Sequence, residues 1–385
     1  MAAACFCTPL RSAPPAGEPD TAQILSRRDA LLEMYRRDPV ARQAIGGEIA
    51  TLETVLANRA LRERRFEEAT ERYRSALLYK DDLEPARAGL VACLIQTEQL
   101  DYALSEAQAG LSRLPQSADL LALQGEVLYR LNRLDEAVAS WKQSLAARPD
   151  TGLQQRVAQV ENERQRTEQF RTSEAPHFTL QYDGDRLGTA MEDALLTALE
   201  ETYDEYVRTF DHMPDTVVTV ILYTRQTFQD ITEAPSNVEG LFDGKVRLPM
   251  GGLSNLTSSA RAVVRHEVAH AFIHSKTRGA APRWLHEGVA QWLEPRSSRS
   301  QGPALAREAR QRDPEAPVPF SYPAALSQVE YLVDTYGAHE LMDLLQRLHD
   351  GMGVDAALRE TYRCDTRGLG SEWGQWLARS FPGGR

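Results

Sequence analysis

The feature that most constrains this chain is a repeat. Shifted by 34 residues, the sequence aligns RRFEEATERYRSAL (64–77) with EQLDYALSEAQAGL (98–111) and NRLDEAVASWKQSL (132–145). Ala69, Ala103 and Ala137 fall one period apart, as do Phe66, Leu100 and Leu134, and then Leu77, Leu111 and Leu145. Pro115 and Pro149 close the last two units, and Gly125 sits where two helices of one unit must approach closely. A fixed period of this length describes a pair of helices that cannot bury its apolar face alone, so stacked neighbours supply the core.

The period and its small residues resemble tetratricopeptide repeats, and the sequence looks like three of them. That resemblance implies an α-solenoid over residues 21–150, with the helical stretch at roughly 21–56 capping the stack. A solenoid offers a concave surface to a protein partner; a rigid spacer is the alternative reading. Glu67, Glu68, Arg72 and Arg74 read as a solvated face. With 385 residues the chain is too long for one ordinary core, and two domains are expected. Residues 151–173 are polar and helical in composition and read as a connector helix, with a second domain over 174–385.

In that second domain the pattern changes. HFTLQYD (177–183) alternates like a strand, LGTAMEDALLTALEETYDEYVRTF (187–210) has helical periodicity, and TVVTVILY (216–223) reads as a buried strand. GLFDGKVRLPMGG (240–252) reads as one short strand flanked by turns, and the chain after about Ser258 is helical. The expected fold class is therefore an α-solenoid followed by an α+β domain with a small sheet and a helical C-terminal half.

The chemistry falls where sheet gives way to helix, in VVRHEVAHAFIH (263–274). Four residues make slightly more than one helical turn, so His266 and His270 share a face and can reach one metal, while Glu267 can flank a bound water without ligating. The chain then breaks at SKTRGAAPR, and Pro282 opens a second helix, WLHEGVAQWLE. This returning helix can bring Glu287 across as a third ligand. Two histidines, one carboxylate and an open fourth position make a catalytic zinc site rather than a closed structural one.

HEVAH followed by APRWLHEGVAQWLE resembles the gluzincin metallopeptidases, most closely the bacterial peptidase MA-like domains often fused to tetratricopeptide repeats. GLFDGKVRLP and SQVEYLVDTYGAHELMDLLQRLHDGMGVDAALRETY look like the same family, so the similarity spans roughly 174–382. It implies a zincin-like fold and zinc-dependent endopeptidase activity, with Glu267 as general base and a protein or peptide as substrate. It also suggests a tyrosine that stabilises the oxyanion: Tyr322 is the candidate and Tyr331 the runner-up, with plain packing the competing reading for each. The longer metzincin pattern is excluded, since Ile273 and Lys276 stand where it requires glycine and histidine. His274 and His286 read as packing or supporting residues, His286 alternatively as substrate-facing. Lys245 to Pro249 is the candidate edge strand for holding substrate, or a purely structural edge. One departure weighs against catalysis: many gluzincins carry a carboxylate one turn after the ligand glutamate, where this chain has Gln291.

A formal net charge of −11 gives no electrostatic footprint for nucleic acid. The longest apolar run, VVTVILY, is far shorter than the roughly 20 residues a membrane-spanning helix needs. Of the four cysteines, Cys93 reads as a small core residue. Cys5, followed by a Pro/Ala/Gly-rich stretch, reads as the lipid-anchor cysteine of a trimmed lipoprotein or as part of a plain disordered N-terminus over residues 1–20. The first reading puts the protein in a bacterial cell envelope, the second leaves the cytoplasm open. Three functions stand at this point: a zinc peptidase whose repeats recruit a partner or substrate, a zinc-containing non-catalytic adaptor, and zinc-dependent hydrolysis of something other than a peptide.

Overall fold

In the first half, each apolar stripe at helical spacing forms a helix that packs on the next: α1 Thr21–Arg37, α2 Arg42–Arg62, α3 Phe66–Tyr79, α4 Glu84–Gln96, α5 Leu100–Leu111, α6 Ala118–Arg130, α7 Leu134–Ala147 and α8 Thr151–Thr167. The computed structural model describes residues 20–40, 42–232, 235, 238–294, 297–313 and 316–382. Cys5 and the rest of the stretch read as a lipid-anchor candidate lie outside them. The chain divides into two units, Met1–Glu168 and Gln169–Arg385.

The sequence period recurs in the backbone of the first unit. Ala69, Ala103 and Ala137, on α3, α5 and α7, are fully buried. A Cβ on Gly125 would collide with the Trp141 ring, so α6 and α7 approach as closely as the missing side chain allows. Arg64, Glu98 and Asn132 each adopt a left-handed conformation (φ 60°, 57° and 59°) at the turn between the paired helices. Glycine usually takes such a position, and only Asn132 is a residue type that tolerates it well.

The second unit is built on a five-stranded mixed sheet of order β1-β2-β3-β5-β4, formed by β1 Phe170–Glu174, β2 Phe178–Asp183, β3 Val218–Leu222, β4 Leu241–Phe242 and β5 Val246–Leu248. The two parallel pairings, β2 with β3 and β3 with β5, lie at the centre, and the antiparallel pairs lie outside. Two expectations change here. The stretch 151–173 is helical only to Thr167 and ends in strand: FRTSE pairs along the edge of the sheet, half-buried to exposed, and so lacks the apolar alternation that marks a strand. The single strand expected in GLFDGKVRLPMGG is a hairpin, turning at Gly244 with φ 98°.

Helices α9 Thr189–Phe210 and α10 Arg225–Thr232 connect the strands. One face of the sheet, carrying Phe178, Leu180, Val220, Leu222, Val246 and Leu248, joins the main core. Ile221 and Tyr223 on the other face pack with Phe228 and Ile231 of α10. The C-terminal half is helical: α11 Ser258–Thr277, α12 Arg283–Trp292, α13 Gly302–Gln311, α14 Tyr322–Tyr336, α15 Ala338–His349, α16 Val354–Tyr362 and α17 Thr366–Ser380. Phe272 anchors α11 on α9, with ring contacts to Tyr203, Tyr206 and Phe210. Gly288 lets α14 close on α12, since a Cβ there would stand 2.5 Å from Ala325 O. No helix among the described residues is long and apolar enough to cross a membrane.

Candidate metal centre

Helix α11 starts at Thr257, whose side chain accepts from Ala260 N, and stops at Arg278, in the left-handed region with φ 49°. Gly279 follows at φ 65°, and the chain reverses into α12 after Pro282 at its N-cap. This reversal brings Glu287 back across the histidines. Nε2 of His266 and His270 stand 3.1 Å apart, and Oε2 of Glu287 lies 3.8 and 3.7 Å from them.

The partners of the far ring nitrogens decide what these atoms can do. His266 Nδ1 lies 2.5 Å from Glu294 Oε1, so its proton is donated there and Nε2 is the nitrogen turned toward His270 and Glu287. His270 Nδ1 lies 2.8 Å from His286 Nδ1. Burial, with the charge of His266, holds His286 down at about 4, so it is neutral near pH 7 and can accept the proton of His270. The two Nε2 atoms and a carboxylate oxygen therefore converge on one point, where a metal ion would replace the proton that the neighbouring carboxylates favour on His266. Bonds of about 2.0 to 2.1 Å at tetrahedral angles would set ligand atoms about 3.3 Å apart, close to the spacing present. His266, His270 and Glu287 form the group among the described residues whose donor atoms could hold a metal ion, so the ligand set expected from the sequence is brought together.

Glu267 points into the same region. It is 4% exposed, and its Oε2 has no hydrogen-bond partner among the described residues. Burial pushes its carboxyl up to about 7 against the opposing pull of His266. The carboxyl arm lies against Gly240, where a Cβ would stand 2.4 Å from Glu267 Oε1 and 2.6 Å from Cγ. A basic group poised near neutrality beside three metal donors has the properties of a proton acceptor. Burial also raises Glu287, although His266 and Arg283 oppose the shift. Burial alone would lower His266, but Glu294, Glu267 and Glu287 outweigh it and the net direction is up.

Gln291 does not occupy the supporting position expected of it. Its Nε2 donates to Glu287 O and Tyr322 O, tying α12 to the start of α14. The carboxylate that contacts a candidate ligand histidine is instead Glu294, two turns beyond Glu287 rather than one. Only a search at both spacings would have found it. His286 supports His270 directly, while His274 packs against Phe242, ring centroids 5.7 Å apart.

The remaining candidates fare differently. Tyr322, at the first position of α14, is 51% exposed and in ring contact with Phe320. Tyr331 is buried and donates to Glu372 Oε2 at 2.9 Å, as a core position requires. Val246–Leu248, in the expected substrate edge, is an interior strand, because β4 pairs outside it. The edge beside α11 is Leu241–Phe242.

Residues 311–379 match the model of the Peptidase MA superfamily. The match supports a peptidase MA-like domain in the C-terminal part of the chain, and it lies downstream of His266, His270 and Glu287. No curated protein matches the chain.

Proposed function

We propose that the protein is a zinc-dependent endopeptidase of the gluzincin type. The observation that carries this reading is the convergence of His266 Nε2, His270 Nε2 and Glu287 Oε2 beside the buried, unpartnered carboxylate oxygen of Glu267. The match to the Peptidase MA superfamily supports it independently.

Zinc at this donor set would polarise both a water molecule and the scissile carbonyl. Glu267 would accept the proton of the attacking water and deliver it to the departing amine, a role suited to a buried carboxylate whose Oε2 has no other partner among the described residues. Glu294 fixes His266 in the tautomer that leaves Nε2 free, and neutral His286 does the same for His270. The Leu241–Phe242 edge, beside the metal-binding helix, is the candidate site for the extended backbone of a peptide. Tyr322 is retained as the candidate oxyanion donor. The helical repeats of the first unit, read as tetratricopeptide-like, are proposed to recruit the protein substrate or a partner, in a bacterial cell envelope if Cys5 is lipidated.

The test pairs wild type with Glu267→Gln, measuring zinc by elemental analysis and cleavage of an unfolded protein. Equal zinc, with a rate lower by about 10² to 10⁴ in the variant, is the expected result. Equal cleavage by both proteins would remove Glu267 from the chemistry. Absence of cleavage by zinc-loaded wild type would favour a non-catalytic adaptor.

A further inference from the structure

Arg283 is not among the candidate metal donors, yet it stands at their rim. It opens α12 one turn before Glu287 and on the same helix face. It is exposed, and no described carboxylate pairs with it. Its Cζ instead lies 3.9 Å from the ring centroid of Phe320. Phe320 in turn meets Tyr322 edge-on, ring centroids 5.4 Å apart, and both rings are open to solvent at 37% and 51%.

This arrangement is held in place by the fold. Gln291 Nε2 donates to Tyr322 O at 3.2 Å, fixing the approach of the aromatic segment to the helix that carries Arg283. Glu287 is near enough for Arg283 to oppose the upward shift of its carboxyl, but its Oε2 is directed at the two histidines. A guanidinium lying over a ring keeps its in-plane N–H donors, a fork that matches a carboxylate. In a chain of net charge −11, an exposed arginine without an acidic partner beside a reaction centre is set apart from the many that are paired.

We infer that Arg283, seated on Phe320, determines specificity at the proposed peptidase site by binding a substrate carboxylate near the bond to be cut. This rests on the peptidase reading for its meaning, not for its geometry. The carboxylate belongs to an acidic side chain or to the C-terminus of the substrate, and both present the same planar pair of oxygens.

The experiment uses full-length, zinc-loaded Glu267→Gln protein and three fluorescent peptides that share one core sequence. The first carries glutamine and an amidated C-terminus, the second glutamate and an amidated C-terminus, and the third glutamine and a free C-terminal carboxylate. Fluorescence anisotropy should show one or both carboxylate peptides binding about tenfold more tightly than the neutral one. Adding Arg283→Gln should abolish that ratio and leave affinity for the neutral peptide unchanged. Whichever carboxylate peptide gains identifies the source. Equal binding of all three, binding of none, or a preference that survives Arg283→Gln overturns the assignment. Cleavage by wild type is followed separately. Turnover of all three peptides at one rate would retain the peptidase and discard the role of Arg283. A binding preference without any turnover would discard the peptidase and retain a carboxylate site.

Discussion

Glu294 Oε1 stands 2.5 Å from His266 Nδ1, although the two residues are 28 apart in sequence and Glu294 lies beyond the end of α12. Arg265 helps to hold it there, gripping Glu205 with two hydrogen bonds of 2.6 Å and donating to Leu293 O at 3.3 Å. His266, a candidate metal ligand, is thus aimed by a carboxylate whose own backbone is fastened to α9 through α11.

Replacing Glu294 with glutamine should weaken zinc binding by about 10- to 100-fold, as loss of such a partner typically does. Competition with a chromophoric chelator measures this directly, with circular dichroism as the control for folding. Unchanged affinity would separate Glu294 from the metal centre.

Gly240 makes a second prediction, through space rather than conformation. A Cβ there would press on the carboxyl arm of Glu267, which is buried and cannot swing freely into solvent. Gly240→Ala should leave zinc content intact and lower kcat by about 10- to 100-fold, the scale on which small misplacements of a reacting group act. Full activity in that variant would show that Glu267 tolerates displacement.

The left-handed turn at Glu98 yields a stability prediction. A glutamate at φ 57° carries a steric cost that asparagine at the equivalent Asn132 largely avoids. Glu98→Asn should therefore stabilise the first unit by about 0.5 to 1 kcal/mol in urea denaturation. A lower midpoint would mean that the interactions of the glutamate side chain outweigh the strain.

His212 predicts a dependence on pH. Burial, reinforced by Lys276 and His349, holds it down at about 4, and its Nε2 contacts Ser275 Oγ at 2.9 Å. Between about 6.5 and 4 the unfolded chain takes up a proton that the folded chain refuses, so this contribution is present above pH 6.5 and lost as pH falls. Urea midpoints at pH 7 and pH 5 should differ more for wild type than for His212→Asn. An equal drop in both would remove His212 from the pH response.

The parts legible in the sequence are those encoded by local spacing. His266, Glu267 and His270 occupy one helical turn, and Glu287 follows a turn signal that reverses the chain, so their convergence can be reasoned without coordinates. Glu294 was hidden because its distance from His266 is set by how α11 and α12 cross, which no periodicity records. Arg283 carries no local signal, because what sets it apart is the Phe320 ring, on a later segment, beneath its guanidinium. The order of strands was hidden for the same reason: Val246–Leu248 has the composition of a short strand wherever it lies, and only pairing on both sides makes it interior.

The edge strand Leu241–Phe242 is two residues long. An extended chain laid along it can exchange backbone hydrogen bonds over only about one or two residue pairs, each contributing roughly 0.5 to 1.5 kcal/mol net. An edge this short would hold a single bond and its immediate neighbours, and would release them readily. On the proposed peptidase reading, tight capture then comes from contacts made outside the strand, and selectivity rests on a few of them, the guanidinium of Arg283 among them, rather than on a long motif read residue by residue.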